Sequence, residues 1–479
     1  MSKRFVTMDL ETRKINGIMT PYCASIYEGR KAISFYLADF KIADEMLKAS
    51  IKYLMLPKYH NHKVYIHNFS FFDAIFLIRI FSELTDMPIK PIMRDGRIID
   101  LKFTFNIGKT NFVLFFRDSY LLLPSSLAKL AINFNVENKG IFPYAFVNEI
   151  EVPLDYKGSV PDYKFFNKKN LSIEEYNNYK NAFTFTNKWS LRGETIKYCE
   201  QDCKTLYQII HSFQKKIFLL FRLDVLKYPT LSSLAFAIFR YKFLKDSKIP
   251  IIEGDIFNQL KEGYTGGAVD VYKPFPEKGT KVYRYDVNSL YPSVMKSFNM
   301  PVGNPTYFEG DISLIGPESG YNLLPKLYGF FEVEVEGPKS MKIPLLQTRL
   351  KTKYGNRTVA PLGRWRGTYL SEEIFNALKY GYKFKILRGY LFEGANIFSE
   401  YVDFLYQLKV NSSSQSPDYI ISKLLLNTLY GRFGMNPHME SHVIITNEET
   451  LKLNTQRVIT NVIDLKNGKE LVSFFDDHE

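Results

Sequence analysis

Four carboxylates and a tyrosine lie where predicted secondary structure can bring them together. Asp9 and Glu11 stand two residues apart near the end of a predicted strand, so both side chains point to the same face. Asp73 follows another predicted strand, and Tyr198 and Asp202 are one turn apart on a predicted helix. Carboxylate oxygens suit Mg²⁺ or Mn²⁺, and two such ions can activate water and stabilise the leaving oxygen in phosphodiester hydrolysis. Taken alone, an Asp-x-Glu pair is more often a solvated strand end.

The elements that must position these residues follow from runs of apolar and β-prone residues and from helical spacing. Strands interleaved with helices predict an α/β domain that ends near residue 215. The predicted strands are 5–11, 63–66, 112–116 and 281–286, and the predicted helices are 192–221, 231–244 and two helices within 401–430.

A second set of residues has the chemistry of a nucleotide site. Asp286 ends a predicted strand, and Tyr291 begins the next element. Lys423, Asn427 and Tyr430 fall at i, i+4 and i+7 and form a polar stripe opposite leucines. A cation on this stripe can hold a triphosphate, and a tyrosine can stack on a base or crowd a sugar. The alternative is the solvated face of an ordinary amphipathic helix.

The charge balance favours a polyanionic partner. Lys and Arg number 63 against 50 Asp and Glu, which gives a formal charge of +13. Neutralising phosphates releases counterions and drives binding to nucleic acid, although any net charge also provides solubility. The 46% hydrophobic content excludes a mainly disordered chain, and we see no signal peptide and no unbroken apolar run of about 18 residues.

The composition also bears on the source and the compartment. The chain has 40 Phe and 33 Tyr but 2 Trp, which hints at an AT-rich genome, and 3 Cys, which indicates a reducing compartment. Cys199 and Cys203 share the helix of Tyr198 and are predicted to pack in the core rather than to bind metal.

In their order along the chain, the motifs Asp-x-Glu-Thr, His-Asn-x-x-x-Phe-Asp and Tyr-x-x-x-Asp resemble the three 3′–5′ exonuclease motifs of family B DNA polymerases. The resemblance implies that Asp9, Glu11, Asp73 and Asp202 bind two Mg²⁺ or Mn²⁺ ions and that Tyr198 orients the attacking water. It also implies a set of residues that hold the single-stranded 3′ end of DNA, namely Thr12, Asn68, Phe72 and Ser119.

Two later stretches resemble polymerase motifs A and B, with Thr428 in place of the usual serine. The resemblance implies that Asp286 binds the metal ions of a polymerase site and that Tyr291 packs under the incoming sugar. It also implies a nucleotide pocket formed by Lys423, Asn427 and Tyr430.

The rest of the chain fits the protein-primed subgroup of this family. Tyr264, Gly266 and Gly267 match a Tyr-x-Gly-Gly loop that touches template DNA. The expected fold is an α/β RNase H-like 3′–5′ exonuclease domain followed by an incomplete α+β palm with helical fingers. The expected domains are an exonuclease (1–215), the start of the palm with the loop and motif A (216–300), an insertion (301–395), and fingers with motif B and incomplete palm (396–479).

The resemblance implies template and primer DNA, deoxynucleoside triphosphates and a terminal priming protein as partners, with no membrane. It implies DNA-directed DNA synthesis with proofreading for a linear plasmid-like element. The compositional hint favours a mitochondrion, with the cytoplasm as the alternative.

The sequence departs from the family at motif C, because no Tyr-x-Asp-Thr-Asp occurs after motif B. Asp476 and Asp477 have the wrong pattern, and we expect a solvated tail from residue 474 onward. A fragment, a natural truncation and a remnant remain open. The alternative functions are therefore a metal-dependent exonuclease without polymerase activity and an inactive DNA-binding product.

Overall fold

The computed structural model describes residues 2–137, 140–149, 152–166, 171–184, 187–245, 249–314 and 327–475. The chain divides into two compact units. The first unit contains the described residues of Met1–Lys242 and Leu405–Glu479, and the second is Phe243–Phe404. None of the helices that the structure describes has the length and hydropathy of a membrane-spanning segment.

Both units contain strands as well as helices. The strands are β1 (Phe5–Ile15), β2 (Ile18–Tyr27), β3 (Ala32–Tyr36), β4 (Lys63–Ile66), β5 (Lys90–Arg94), β6 (Arg97–Ile107), β7 (Thr110–Asp118), β8 (Lys157–Gly158), β9 (Trp189–Ser190), β10 (Met300–Glu309), β11 (Gly329–Glu336), β12 (Thr348–Thr352), β13 (Gly355–Val359), β14 (Arg364–Leu370), β15 (Lys383–Ala395), β16 (Ser441–Thr446), β17 (Val458–Asp464) and β18 (Lys469–Phe475). The helices are α1 (Ala43–Leu54), α2 (Asp73–Leu84), α3 (Leu127–Phe134), α4 (Tyr144–Glu149), α5 (Ile173–Asn181), α6 (Leu191–Phe221), α7 (Leu231–Ile238), α8 (Gly254–Glu262), α9 (Leu290–Ser297), α10 (Ser371–Leu378), α11 (Ser399–Val410), α12 (Pro417–Phe433) and α13 (Asn447–Asn454).

A seven-stranded sheet in the order β3-β2-β1-β4-β7-β6-β5 forms the centre of the first unit. Its middle strands β1, β4 and β7 are parallel, whereas β1 pairs antiparallel with β2 and β7 pairs antiparallel with β6. Because parallel strands end at the same edge of a sheet, the segments that follow β4 and β7 emerge beside the carboxyl-terminal half of β1. The strands predicted at 63–66 and 112–116 and the helix predicted at 192–221 are confirmed. The strand predicted at 5–11 is also present, but it continues to Ile15, so Asp9 and Glu11 lie within it and not near its end.

Strand β1 has two different faces because its side chains alternate. Val6, Met8 and Leu10 are buried in an apolar cluster that includes residues of α1 and α2. The opposite face is held against α6, where the buried Thr7 hydroxyl donates to the main-chain carbonyl of Cys203 at 2.7 Å. Because Val6, Met8 and Leu10 face the apolar cluster, the alternating residues Thr7, Asp9 and Glu11 face α6.

The second unit has a four-stranded antiparallel sheet in the order β10-β15-β11-β14 and a hairpin formed by β12 and β13. The prediction of a strand at 281–286 is wrong. Residues 263–289, all of which the structure describes, form no helix or strand. The reason is that a strand needs a hydrogen-bonding partner, and no described strand pairs with this segment. Its apolar side chains consequently stay in solvent, with Val282 77% and Tyr285 88% exposed.

The end of the described chain is also more ordered than predicted. Strands β16, β18 and β17 form an antiparallel sheet, and Ile444 pairs with Ile89 in the first unit. Phe474 and Phe475 belong to β18 and pair with β17, so the expectation of a solvated tail from residue 474 is wrong for these two residues. Asp476 and Asp477 lie outside the described residues.

A buried ion pair fixes the end of β7. Arg117 donates to both carboxylate oxygens of Asp100, its cross-strand partner on β6, at 3.0 and 3.1 Å. It also donates to the carbonyl of Leu226 at 2.7 Å. A second two-hydrogen-bond pair, Arg192 with Asp39, has the same chemistry but lies in solvent.

We predict that Asp100→Ala lowers the free energy of unfolding of the first unit by about 3–5 kcal/mol, because it leaves a buried guanidinium without its counter-charge. Asp39→Ala is the matched control and should cost less than about 1 kcal/mol. Urea denaturation can be followed by the fluorescence of Trp189, which lies in the first unit, with Trp365→Phe in every variant. Equal losses of unfolding free energy in Asp100→Ala and Asp39→Ala would contradict the inference that the buried ion pair stabilises the unit more than the exposed one.

Candidate functional site

Asp9 and Glu11 are brought to one face of β1, as predicted. They pair with Ser25 and Cys23 of β2, and the register shifts immediately after Glu11. One carboxylate oxygen from each, together with Cys199 Sγ on α6, lie within 4.8 Å of one another. The extra residue at this register shift is Tyr22 of β2, because Glu11 pairs with Cys23 and Thr12 pairs with Pro21.

Asp73 and Asp202 complete a cluster around Asp9. The pKa of Asp9 is raised well above its usual value, first by burial, then by Cys199 and by the carboxylates of Glu11, Asp202 and Asp73. Glu11, Asp73 and Asp202 are all buried. The structure thus brings the carboxylates of Asp9 and Glu11 together and places Asp73 and Asp202 near enough for their charges to act on Asp9; the catalytic roles of all four residues stay predictions.

Asp73 begins α2 and faces a second carboxylate. Burial, and then the charge of Asp118, raise the pKa of Asp73 to about 8. An acid with this pKa binds a proton at neutral pH unless a cation takes its place. The charge of the Asp73 carboxyl group at neutral pH therefore depends on whether a proton or a metal cation is bound there.

Asp118 fixes the loop that leads to Asp73. It is fully buried and accepts hydrogen bonds from the main-chain nitrogens of Asn68 (2.9 Å), Ser70 (2.9 Å) and Tyr120 (2.8 Å). Asn68 has the positive φ of 69°, which Asn tolerates better than most residues. Asp118 thereby holds the ends of β4 and β7 in a defined relation, and motif matching alone did not identify it.

Tyr198 is held by groups from a segment far away in the sequence. The Tyr144 hydroxyl donates to the Tyr198 hydroxyl at 2.5 Å, and the Phe142 ring lies 5.1 Å from the Tyr198 ring. Gly140 packs against the same ring, because a Cβ there would lie 3.2 Å from it. Burial and the nearby carboxylates of the cluster raise the pKa of Tyr144, so its hydroxyl stays protonated and able to donate.

The four residues predicted to hold DNA lie in different environments. Asn68 is exposed, and Thr12 and Phe72 are half-buried. Ser119 is buried, and its hydroxyl bonds to Nδ1 of His67 at 3.0 Å. Nε2 of His67 lies 3.0 Å from the main-chain carbonyl oxygen of Ser125, which can only accept a hydrogen bond.

The residues predicted to bind nucleotide fall in both units. Lys423, Asn427 and Tyr430 are exposed on α12 of the first unit, opposite buried leucines, as the predicted stripe requires. Asp286 and Tyr291 are exposed in the second unit, where Tyr291 lies in the first turn of α9. Each subset is accessible in its own unit, and its role in binding nucleotide stays a prediction.

The Tyr-x-Gly-Gly loop is hydrogen-bonded to strand β12 and to the residue that precedes this strand. Gln347 donates to the carbonyl of Gly266 at 3.3 Å, and Arg349 donates to the carbonyl of Tyr264. A Cβ at Gly266 or Gly267 would meet nothing within 4 Å. The surrounding chain therefore does not itself require glycine at these two positions.

The donor set fits hard divalent cations. Four carboxylates converge, and the raised pKa values of Asp9 and Asp73 mean that their full ionisation is unfavourable without a positive charge nearby. Mg²⁺ and Mn²⁺ prefer such oxygen ligands. Residues that could hold these ions are Asp9, Glu11, Asp73 and Asp202.

Comparison with known proteins places the chain in a family. A model of the family described as DNA polymerase type B, organellar and viral, matches residues 54–475. The chain therefore belongs to this family. It is 44% identical over 492 aligned residues to a probable DNA polymerase of Neurospora intermedia, with 98% of this chain and 50% of the relative covered.

Further matches agree. The chain is 43% identical over 457 residues to a probable DNA polymerase of Ascobolus immersus, with 94% of this chain and 36% of the relative covered. A solved complex of the phi29 DNA polymerase with primer-template DNA and incoming nucleotides matches with a TM-score of 0.61 and 17% identity, covering 94% of this chain and 71% of that one. The chain has the family B polymerase fold and spans half or less of the length of these fungal relatives.

We predict that the contribution of Asp73 to the stability of the metal-free first unit falls as the pH rises from about 4 to about 8. In the unfolded chain Asp73 loses its proton near 3.8, whereas the folded protein holds it up to about 8, so between these values each rise in pH favours unfolding. Urea denaturation in EDTA at several pH values measures this slope. Asp73→Asn should reduce it, and Asp86→Asn, an exposed control, should not; equal slopes in both variants would contradict the assignment.

Proposed function

We propose that the chain provides the 3′–5′ exonuclease, in an α/β RNase H-like domain, and part of the polymerase of a DNA-directed DNA polymerase that proofreads. The close approach of the Asp9 and Glu11 carboxylates, on which the charges of Asp202 and Asp73 also act, is the observation that carries the exonuclease proposal. Family membership supports the polymerase proposal.

The proposal gives each residue of the cluster a role. Asp9, Glu11, Asp73 and Asp202 would hold two Mg²⁺ or Mn²⁺ ions, which supply an activated water and stabilise the leaving oxygen when bound. Tyr198 orients the water through its hydroxyl. The Tyr144 hydroxyl donates to that of Tyr198, which leaves the Tyr198 proton directed elsewhere.

The 3′ end of DNA is held beside the cluster in this proposal. Phe72 has a half-buried ring next to Phe76, at 5.4 Å, and can stack on an unpaired base. Asn68 offers an exposed amide, and Thr12 follows Glu11 on β1 with a half-buried side chain. Ser119 contributes through His67, to which its hydroxyl is bonded.

DNA synthesis is assigned to the second set of residues. Asp286 binds metal, Tyr291 packs under the sugar, and Lys423, Asn427 and Tyr430 form the nucleotide pocket. The exposure of all five residues supports this assignment.

The second candidate function is degradation of DNA without DNA synthesis, and the irregular segment that carries Asp286 favours it. The segment 263–289, which includes Asp286, forms no regular element. The carboxylate cluster, in contrast, lies on paired strands and a long helix. This chain on its own would then degrade DNA, and synthesis would require the remainder of a longer polymerase.

The proposal extends to the partners and the compartment. The positive charge of +13 supports binding to template and primer DNA. The Tyr-x-Gly-Gly loop contacts the template, because open space around Gly266 and Gly267 permits close approach of another backbone. Deoxynucleoside triphosphates and a terminal priming protein are the further partners. The protein acts in the mitochondrion, with the cytoplasm as the alternative.

We predict that Asp9→Ala and Asp202→Ala each reduce Mg²⁺-dependent degradation of a 5′-labelled single strand by about 100-fold or more, since each removes a ligand of a metal that stabilises transition-state charge by several kcal/mol. Gel analysis of the shortened products measures the rate. Asp86→Ala, which removes an exposed acid outside the cluster, is the control and should degrade at the wild-type rate. Unchanged degradation in the first two variants would overturn the exonuclease assignment.

A primer-extension assay distinguishes the two candidate functions. If the chain synthesises DNA, we expect extension that Asp286→Ala removes while degradation continues. Degradation without extension by the wild-type chain would select the second candidate, and the absence of both activities would contradict both.

A further inference from the structure

A thiol lies among the carboxylates of the cluster. Cys199 is fully buried on α6, and its Sγ is 3.5 Å from the main-chain oxygen of Asp9 and 3.9 Å from Oδ2 of the same residue. One ligand atom each from Asp9, Glu11 and Cys199 lie within 4.8 Å of one another. The thiols of Cys203 and Cys23 also lie within hydrogen-bonding reach of the Cys199 thiol, and Cys203 Sγ donates to the carbonyl of Ser25 at 3.2 Å.

These distances suit a cation that binds both sulfur and oxygen. Zinc has Zn–S distances of about 2.3 Å and Zn–O distances of about 2.0–2.2 Å, so two such ligands at a tetrahedral angle are about 3.6 Å apart. The separation of 3.9 Å between Cys199 Sγ and Asp9 Oδ2 is close to this value. Mg²⁺, in contrast, selects oxygen ligands and gains nothing from a thiolate.

We propose that Asp9, Glu11 and Cys199 form a site for thiophilic divalent cations of the Zn²⁺ and Cd²⁺ class. When the metal–sulfur bond forms, the thiol proton leaves to solvent and no electrons are transferred. Because the site shares Asp9 and Glu11 with the exonuclease centre, a bound thiophilic ion displaces Mg²⁺ and inhibits degradation. The inhibition rests on the proposed exonuclease function, whereas the binding does not.

Titration of the full, reduced chain with Cd²⁺ alone tests the binding. Absorption by thiolate-to-cadmium charge transfer in the ultraviolet reports the Cd–S bond directly. We expect a band that saturates at about one ion per chain, that disappears in Cys199→Ser and that persists in the matched control Cys203→Ser. Asp9→Asn should keep the band but weaken Cd²⁺ binding by at least about 10-fold, since it removes an oxygen ligand.

Several results would overturn the proposal: no band in the wild-type chain, a band retained in Cys199→Ser, or a band lost in folded Cys203→Ser. An unchanged affinity in Asp9→Asn would do so as well, since it would assign the ion to thiols without the carboxylates. Circular dichroism checks that each variant is folded, and Cys199→Ala replaces the serine variant if that one unfolds.

Inhibition is measured separately in the degradation assay with Mg²⁺. The Cd²⁺ concentration that halves the rate should rise at least about 10-fold in Cys199→Ser relative to Cys203→Ser. A wild-type chain that binds Cd²⁺ but does not degrade DNA would remove the proposed function and leave the cation site intact. A chain that degrades DNA without a Cd–S band would do the reverse.

Discussion

Burial first, and then the charges of Cys199 and of the carboxylates of Glu11, Asp202 and Asp73, raise the pKa of Asp9, and these three carboxylates are each less than a tenth exposed. Repulsion of this kind costs free energy that packing elsewhere must offset, because water cannot screen charges that it does not reach. Cations relieve the repulsion. Buried carboxylates that repel one another therefore bind cations favourably. Until a cation binds, contacts in the surrounding fold must offset the repulsion.

The framework that resists the repulsion is built from long-range contacts. The hydrogen bond from Thr7 to the main chain of Cys203 joins β1 to α6. Asp118 joins the ends of β4 and β7 through three main-chain hydrogen bonds. Next to it, the buried Arg117–Asp100 pair secures β7 to β6. Together these contacts fix the three segments that carry the carboxylates before any ligand arrives.

Local patterns were enough to predict much of this arrangement. Alternation in β1 placed Asp9 and Glu11 on one face, and helical spacing placed the exposed stripe of Lys423 on α12. Contacts between distant segments were not predictable: nothing in the spacing joins Tyr144 to Tyr198 or Cys199 to Asp9. The strand expected at 281–286 failed for a related reason, since its β-prone residues find no partner strand in the described chain.

Joint binding of divalent ions by the carboxylates around Asp9 can be observed by anomalous diffraction from crystals of the chain soaked in Mn²⁺, because the anomalous signal locates the metal itself. We expect anomalous density between the carboxylates of Asp9, Glu11 and Asp202, and we expect it to be absent in crystals of Asp9→Asn. Mn²⁺ found only at other acidic surfaces, with none at this cluster, would contradict the assignment of these carboxylates as metal ligands.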